Sequence, residues 1–189
     1  MRIISGRYKS RKINTPAETK DCSYKAKSSL RPTSDRARES LFNIISNIID
    51  FDETGCLDLF AGTGALGFES ISRGAGKCDF VDISRKSLEL IDKTSKDLGC
   101  TDKVKFYKED ALSFLRRTGK FYDVVFADPP YAFDKYEELV SAVIANDFSI
   151  FALEAGSRYA FKYDVNKYDL IERKIGFTNF KIFIKKENE

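Results

Sequence analysis

Four consecutive residues, Asp128-Pro129-Pro130-Tyr131, bring together the groups needed to alkylate a poor nitrogen nucleophile. The lone pair of an exocyclic amine on a nucleic-acid base is delocalised into the ring. To react, that nitrogen must become tetrahedral and gain positive charge. A carboxylate (Asp128) and a backbone carbonyl (Pro129) can accept its two hydrogens, aim the lone pair and stabilise the developing charge. Successive prolines, Pro129 and Pro130, hold the turn rigid, and Tyr131 offers a ring on which a base turned out of its stack can lie. The same residues would also serve as a plain Pro-Pro strand terminator with an incidental acid, and the sequence upstream bears on that choice.

Upstream stands Gly62-Thr63-Gly64-Ala65-Leu66-Gly67, a G-x-G-x-x-G pattern between an apolar run and a helical one. In that setting the glycines permit a tight turn and let a nucleotide-like ligand approach backbone N–H groups. Asp82 follows Gly64 by 18 residues and ends the next apolar run, where an acid accepts hydrogen bonds from ribose hydroxyls. Loop and acid together fit an adenosine, and by themselves do not separate a nicotinamide dinucleotide from S-adenosylmethionine. The Asp128 motif selects the second, because amine alkylation by a sulfonium needs neither a metal nor a general acid. The chain has no histidine, which removes the usual catalytic triads and histidine-ligated metal sites. Its four cysteines, Cys22, Cys56, Cys78 and Cys100, form no C-x-x-C pair and read as reduced thiols, with no metal site expected. None lies in the active loop, where carbon-5 methylation of a pyrimidine would need a nucleophile. Asp110 has two readings, a contact to the adenine amino group or a helix N-cap before Ala111-Leu112.

Elements of alternating type must hold these residues. Thr33 or Ser34 caps a helix that runs at amphipathic spacing to about Ile49. Then come a strand over 56–60, a helix over 65–73 closed by Gly74, a strand ending at Phe80-Val81-Asp82, and a helix over 84–98 stopped by Gly99. A third strand at 104–106, a short helix around 112–116, a fourth strand at 123–127, a helix over about 135–145 and a fifth strand at 150–153 follow. Leu170-Ile171 and Phe180 to Ile184, separated by Gly176, read as a closing hairpin. The alternation implies an α/β domain with a mainly parallel sheet covered on both faces. Ligands bind such sheets along the carboxyl edge of the strands, which is where the glycine loop, Asp82 and Asp128 all fall.

At 189 residues, 42% hydrophobic and 32% charged, the chain suits one complete α/β domain. No run approaches the roughly 20 apolar residues of a membrane span, and no secretory signal opens the sequence, so a cytoplasmic protein is expected. The net charge of +3 is unevenly spread. Residues 1–40 carry eleven Lys and Arg against four acids, a local +7, whereas 41–189 carry −4. A basic arm on a mildly acidic body is a footprint for a polyanion. Residues 1–33 therefore read as a basic, separable RNA-binding extension and 34–189 as the catalytic domain. Arg2, Arg7, Lys9, Arg11, Lys12, Arg31, Arg36 and Arg38 are the candidate phosphate contacts.

Several blocks resemble the bacterial ribosomal RNA guanine-N2 methyltransferase family RsmD. They are Met1 to Gly6 with Lys9-Ser10-Arg11-Lys12, Arg31 to Ile45, Leu57 to Gly67, Ser72-Arg73-Gly74-Ala75 and Asp128 to Tyr131, in family order. The resemblance implies a Rossmann-like class I methyltransferase with a seven-stranded, mainly parallel sheet and a closing antiparallel hairpin. It implies S-adenosylmethionine held by Asp58, Phe60, Gly62, Thr63, Gly64, Gly67, Asp82 and Asp110, with catalysis at Asp128, Pro129, Pro130 and Tyr131. It also implies one guanine of 16S RNA in the assembling small subunit as substrate, modified by a monomer. Thr94 stands where the family leads one to expect asparagine, and Ala155 follows Glu154 where histidine is frequent. An adenine-N6 methyltransferase fits the Asp-Pro-Pro-Tyr motif equally. A non-catalytic nucleotide-binding module with a basic tail gives no reason for Asp128 and Tyr131 at the active edge.

Overall fold

A computed structural model describes residues 1–16, 35–156, 159–164 and 166–186. Helices and strands alternate as α1 (Asp35–Ser46), β1 (Gly55–Leu59), α2 (Ala65–Ser72), β2 (Lys77–Asp82) and α3 (Arg85–Leu98). Then follow β3 (Val104–Lys108), α4 (Ala111–Thr118), β4 (Tyr122–Ala127), α5 (Tyr136–Ile144) and β5 (Phe148–Glu154), and the chain closes with β6 (Tyr168–Ile175) and β7 (Thr178–Lys185). Seven strands form one sheet in the order β3-β2-β1-β4-β5-β7-β6. Strands β1 to β5 pair in parallel, and β7 lies antiparallel between β5 and β6.

The central strands are apolar on both faces because helices cover both. Cys56, Val124, Phe126, Ile150, Ala152 and Ile182 face one core, with α1, α2 and α3 above it. Leu57, Leu59, Val125, Ala127, Phe151 and Leu153 face the other, under α4 and α5. Asp79 is buried within β2 and accepts hydrogen bonds from Tyr122 Oη (2.8 Å), Lys120 Nζ (2.8 Å) and Tyr107 Oη (3.3 Å), tying β2 to β3 and to the start of β4.

Ends of helices follow local chemistry. Ser84 caps α3 by accepting from Ser87 N, and Asp110 caps α4 by accepting from Ser113 N at 3.0 Å. The first helix stops at Ser46, three residues before the expected end, where turn bonds from Asn47 and Ile48 back to Ile44 and Ile45 replace the helical ladder. Its expected cap, Thr33 or Ser34, lies outside the described residues, as does Cys22.

The largest departure from expectation concerns the N-terminal segment. Residues 1–16 do not stand apart from the body. Ile3, Tyr8 and Ile13 are buried in the same core as Phe42, Phe68 and Ile71. Ile4 N and Ser5 N donate to the buried carboxylate of Glu69 at 2.8 and 3.1 Å, and Tyr8 N donates to Ser72 Oγ at 2.9 Å. Gly6 has φ +80°, and a Cβ there would fall 1.8 Å from the carbonyl oxygen of Ser72, so only glycine brings this segment onto the end of α2. Asn14 donates to Thr94 Oγ1 through its backbone N (3.0 Å) and Nδ2 (3.2 Å), which gives the buried threonine of α3 its task. Beside Ile3 and Ile13 the segment folds back on itself through a single antiparallel bridge, Arg2 with Lys12. The polar composition of 1–33 hid this packing, because three well-spaced apolar residues suffice to anchor sixteen.

Candidate cofactor and base-binding site

A cavity of about 810 Å³ opens at the carboxyl edge of β1, β2 and β4. Its wall includes Asp58, Phe60, Gly62, Thr63, Asp82, Asp110, Asp128 and Pro130, so residues singled out in separate stretches of the sequence meet in one place. The site is built from strand ends. Register pairs Asp58 with Phe80 and Phe126, and Leu59 with Val81 and Ala127, which brings the three loops that follow side by side.

The glycine loop is held from below and from the side. Asp58 is 2% exposed and accepts a hydrogen bond from Gly67 N at 2.9 Å. Asp82 accepts from Gly62 N and Ser84 N, each at 2.7 Å, so its carboxylate locks the loop while leaving lone pairs for a ligand. Gly64 forms the left-handed N-cap of α2 at φ 76°. A Cβ on Gly67 would lie 2.3 Å from the Phe80 ring, so this glycine sets how closely α2 approaches β2. Phe60 takes φ 59°, a conformation costly for a bulky residue, and its ring packs edge-on to Phe133 at 5.1 Å.

Acids dominate the electrostatics. Asp35, Asp58, Asp82, Glu109, Asp110 and Asp128 line the cavity, and Arg38 is the one basic side chain among the described lining residues. Burial pushes the Asp58 carboxyl well above the usual carboxylate range. The Gly67 N–H opposes that rise, and the nearby charges of Asp128 and Asp82 add to it. Such a wall suits a ligand carrying positive charge and hydroxyl donors. S-adenosylmethionine has both, in its sulfonium, ammonium and ribose. Ile83, 74% exposed beside Asp82, adds a flat apolar face for a ring. Sequence reading did not single out Ile83, although its place directly after Asp82 at a strand end was a signal that could have found it.

Asp110 caps α4 with Oδ1, the second of its two readings, and also lines the cavity. At the rim, Pro129 is buried, Pro130 accepts the turn bond from Phe133 N at 2.8 Å, and the Tyr131 ring is 72% exposed. Behind them an aromatic row, Phe133, Tyr136 and Tyr159, continues from Phe60 with centroid spacings of 5.2 and 4.3 Å. Sequence reading missed this row, since Phe133 and Tyr159 stand outside helices and strands and Tyr136 only opens α5, so no periodicity links them. It also missed Glu69 and Ser72, which hold the N-terminal segment.

The basic candidates are not all surface groups. Arg2, Arg7, Lys9, Arg11, Lys12 and Arg36 are exposed, with Arg2 paired to Asp35 at 3.3 Å and Arg11 donating to the Asp97 carbonyl at 2.6 Å. Arg31 lies outside the described residues. Arg38 has no exposed surface, so it does not share the solvent-facing position expected of a phosphate contact. Cys56, Cys78 and Cys100 are buried free thiols, with Cys56 pushed up to about 12 and Cys100 to about 11 by burial, which makes them poor nucleophiles.

Residues 1–183 match the family described as Conserved hypothetical protein 95. The Ribosomal RNA small subunit methyltransferase D of Haemophilus influenzae is 34% identical over 151 residues, covering 78% of this chain and 72% of that protein. The protein of the same name from Escherichia coli K12 is 34% identical over 146 residues, covering 77% and 68%. Among solved structures, the Escherichia coli protein yhhF aligns with a TM-score of 0.81 and 25% identity over 100% of this chain and 99% of its own. A magnesium protoporphyrin IX methyltransferase from Synechocystis with bound SAM shares the fold at a TM-score of 0.64 and 14% identity, covering 80% of this chain and 79% of that one. The sheet, with its reversed strand β7, is that of the class I methyltransferase fold.

Proposed function

This chain belongs to the Conserved hypothetical protein 95 family, the RsmD family, and on that footing we propose that it transfers a methyl group from S-adenosylmethionine to an exocyclic amine of small-subunit ribosomal RNA, the N2 of a guanine. The observation that carries the reading is that Asp128 and Pro130, of the Asp128-Pro129-Pro130-Tyr131 turn, line the same cavity as the glycine loop and Asp82. Asp82 takes the ribose hydroxyls, Ile83 and Asp110 the adenine, and Asp58 the positive charge near the sulfonium. When bound, S-adenosylmethionine supplies an electrophilic methyl group with a neutral thioether as leaving group.

The chain's own residues do the rest. Tyr131 stacks the extruded base, so the amine reaches the rim in a fixed plane. Asp128 and the Pro129 carbonyl accept its two hydrogens, which directs the nitrogen lone pair at the methyl carbon. The positive charge passes to nitrogen beside the Asp128 carboxylate, and the surplus proton leaves through Asp128 to solvent.

Incubating the protein with methyl donor and small-subunit RNA, then identifying modified nucleosides by mass spectrometry, tests the reading. N2-methylguanosine is the expected product. N6-methyladenosine would move the activity to adenine, and no product would return the fold to a binding module.

A further inference from the structure

Arg38 is a large charged side chain with 0% exposure, buried in α1 on the wall of the cavity. Its Nη2 donates to the Arg2 carbonyl at 2.5 Å and to Asp35 Oδ1 at 3.1 Å. Its Nε and Nη1 find no hydrogen-bond partner among the described residues, which leaves three of the five guanidinium donors unmet. A buried charge with unmet donors is costly, and an arginine so placed at a ligand cavity marks where an anion belongs. The rest of that wall is acidic, so the anion must be part of a ligand that is mostly cationic or neutral elsewhere. An acid-lined wall repels a run of phosphates, whereas it admits a single carboxylate on a ligand that also carries positive charge.

We propose that Arg38 binds the α-carboxylate of the amino-acid end of S-adenosylmethionine, and that Asp35 and the Arg2 carbonyl hold the guanidinium in place for it. The inference rests on the functional reading above. It makes the N-terminal segment part of the cofactor site, since Arg2 supplies the carbonyl that orients Arg38, and Met1, Thr15 and Pro16 line the same cavity.

Decarboxylated S-adenosylmethionine differs from the cofactor only at this group and serves as the probe. Calorimetric titration of the full chain should show S-adenosylmethionine binding roughly 10- to 100-fold tighter than the decarboxylated form, the range that a hydrogen-bonded charged pair supports. In Arg38→Gln the two affinities should converge, because the first weakens while the second barely changes. Arg38→Lys, which keeps the charge without the fork, should fall between. Circular dichroism and melting of each variant report whether it is folded, and the discrimination shown by the unaltered protein stands without any variant. An undiminished preference in folded Arg38→Gln, or equal affinities in the unaltered protein, overturns the assignment. So does a loss of RNA affinity in Arg38→Gln with the preference intact, which would make Arg38 a nucleic-acid contact. If the unaltered protein bound neither compound, the functional reading would fall, and this assignment with it.

Discussion

Asp58 lies under the glycine loop, and folding raises its pKa by burying it beside Asp82 and Asp128. Between the ordinary carboxylate range and that raised value, the folded chain holds a proton that the unfolded chain has released. Stability of the ligand-free protein therefore falls as pH rises through this window. A cation bound nearby favours the ionised form, so cofactor binding should expel the proton and tighten as pH rises. Calorimetry in buffers of different ionisation enthalpy reads this directly, and Asp58→Asn should abolish the released proton. Binding without proton release would place the sulfonium and ammonium elsewhere. Asp128 acts later, on charge that develops during reaction. Asp128→Ala should lower the single-turnover rate on the order of 10²-fold or more and leave cofactor affinity nearly unchanged. Asp82→Ala should do the opposite, weakening cofactor binding by about 1.5–3 kcal/mol. If calorimetry found the two effects exchanged, the division between cofactor and base sides of the cavity would be wrong.

Most elements announced themselves through periodicity and punctuation. The run Cys56 to Phe60 before a glycine loop, the Gly99 stop and the Gly176 hairpin each combine an apolar pattern with a turn former, and all seven strands followed from such pairs. What stayed hidden were contacts between elements distant in sequence. Nothing near Gly6 says that the end of α2 will lie against it, and nothing near Glu69 says that its carboxylate will collect two N–H groups from residues 4 and 5. Likewise Arg38 looked like one more member of a basic cluster, because burial of a charge leaves no local trace. The contact of the N-terminal segment with α2 is testable at Gly6. A methyl group there meets backbone rather than a movable side chain, and the positive φ adds strain, so Gly6→Ala should destabilise by about 1–3 kcal/mol. Melting would register that as a drop of several degrees, at about 2–4 °C per kcal/mol for a domain of this size. An unaltered melting temperature would mean the segment can lift off freely.

At the scale of the molecule, charge is divided. The exposed members of the basic cluster, Arg7, Lys9 and Lys12 among them, sit on a segment anchored to the body, beside a cavity lined with acids. Deleting that segment would strip Ile3 and Ile13 from the core, so neutralising its surface is the cleaner probe of RNA binding. Arg7→Gln, Lys9→Gln and Lys12→Gln combined should weaken RNA binding. They should also reduce the slope of log affinity against log salt by about 0.7 for each phosphate that the protein no longer neutralises, as for a single-stranded target. An unchanged slope would move the RNA surface elsewhere. The sheet carries a different kind of consequence. Strand β7 comes last in the chain yet lies inside the sheet, with Phe180, Ile182 and Phe183 buried between β5 and β6. During synthesis from the N-terminus, β5 must wait with an unpaired edge until Thr178–Lys185 has left the ribosome. An rRNA methyltransferase thus carries an open sheet edge until β7 emerges, and a chain broken off short of β7 leaves behind that edge rather than a slightly shorter enzyme.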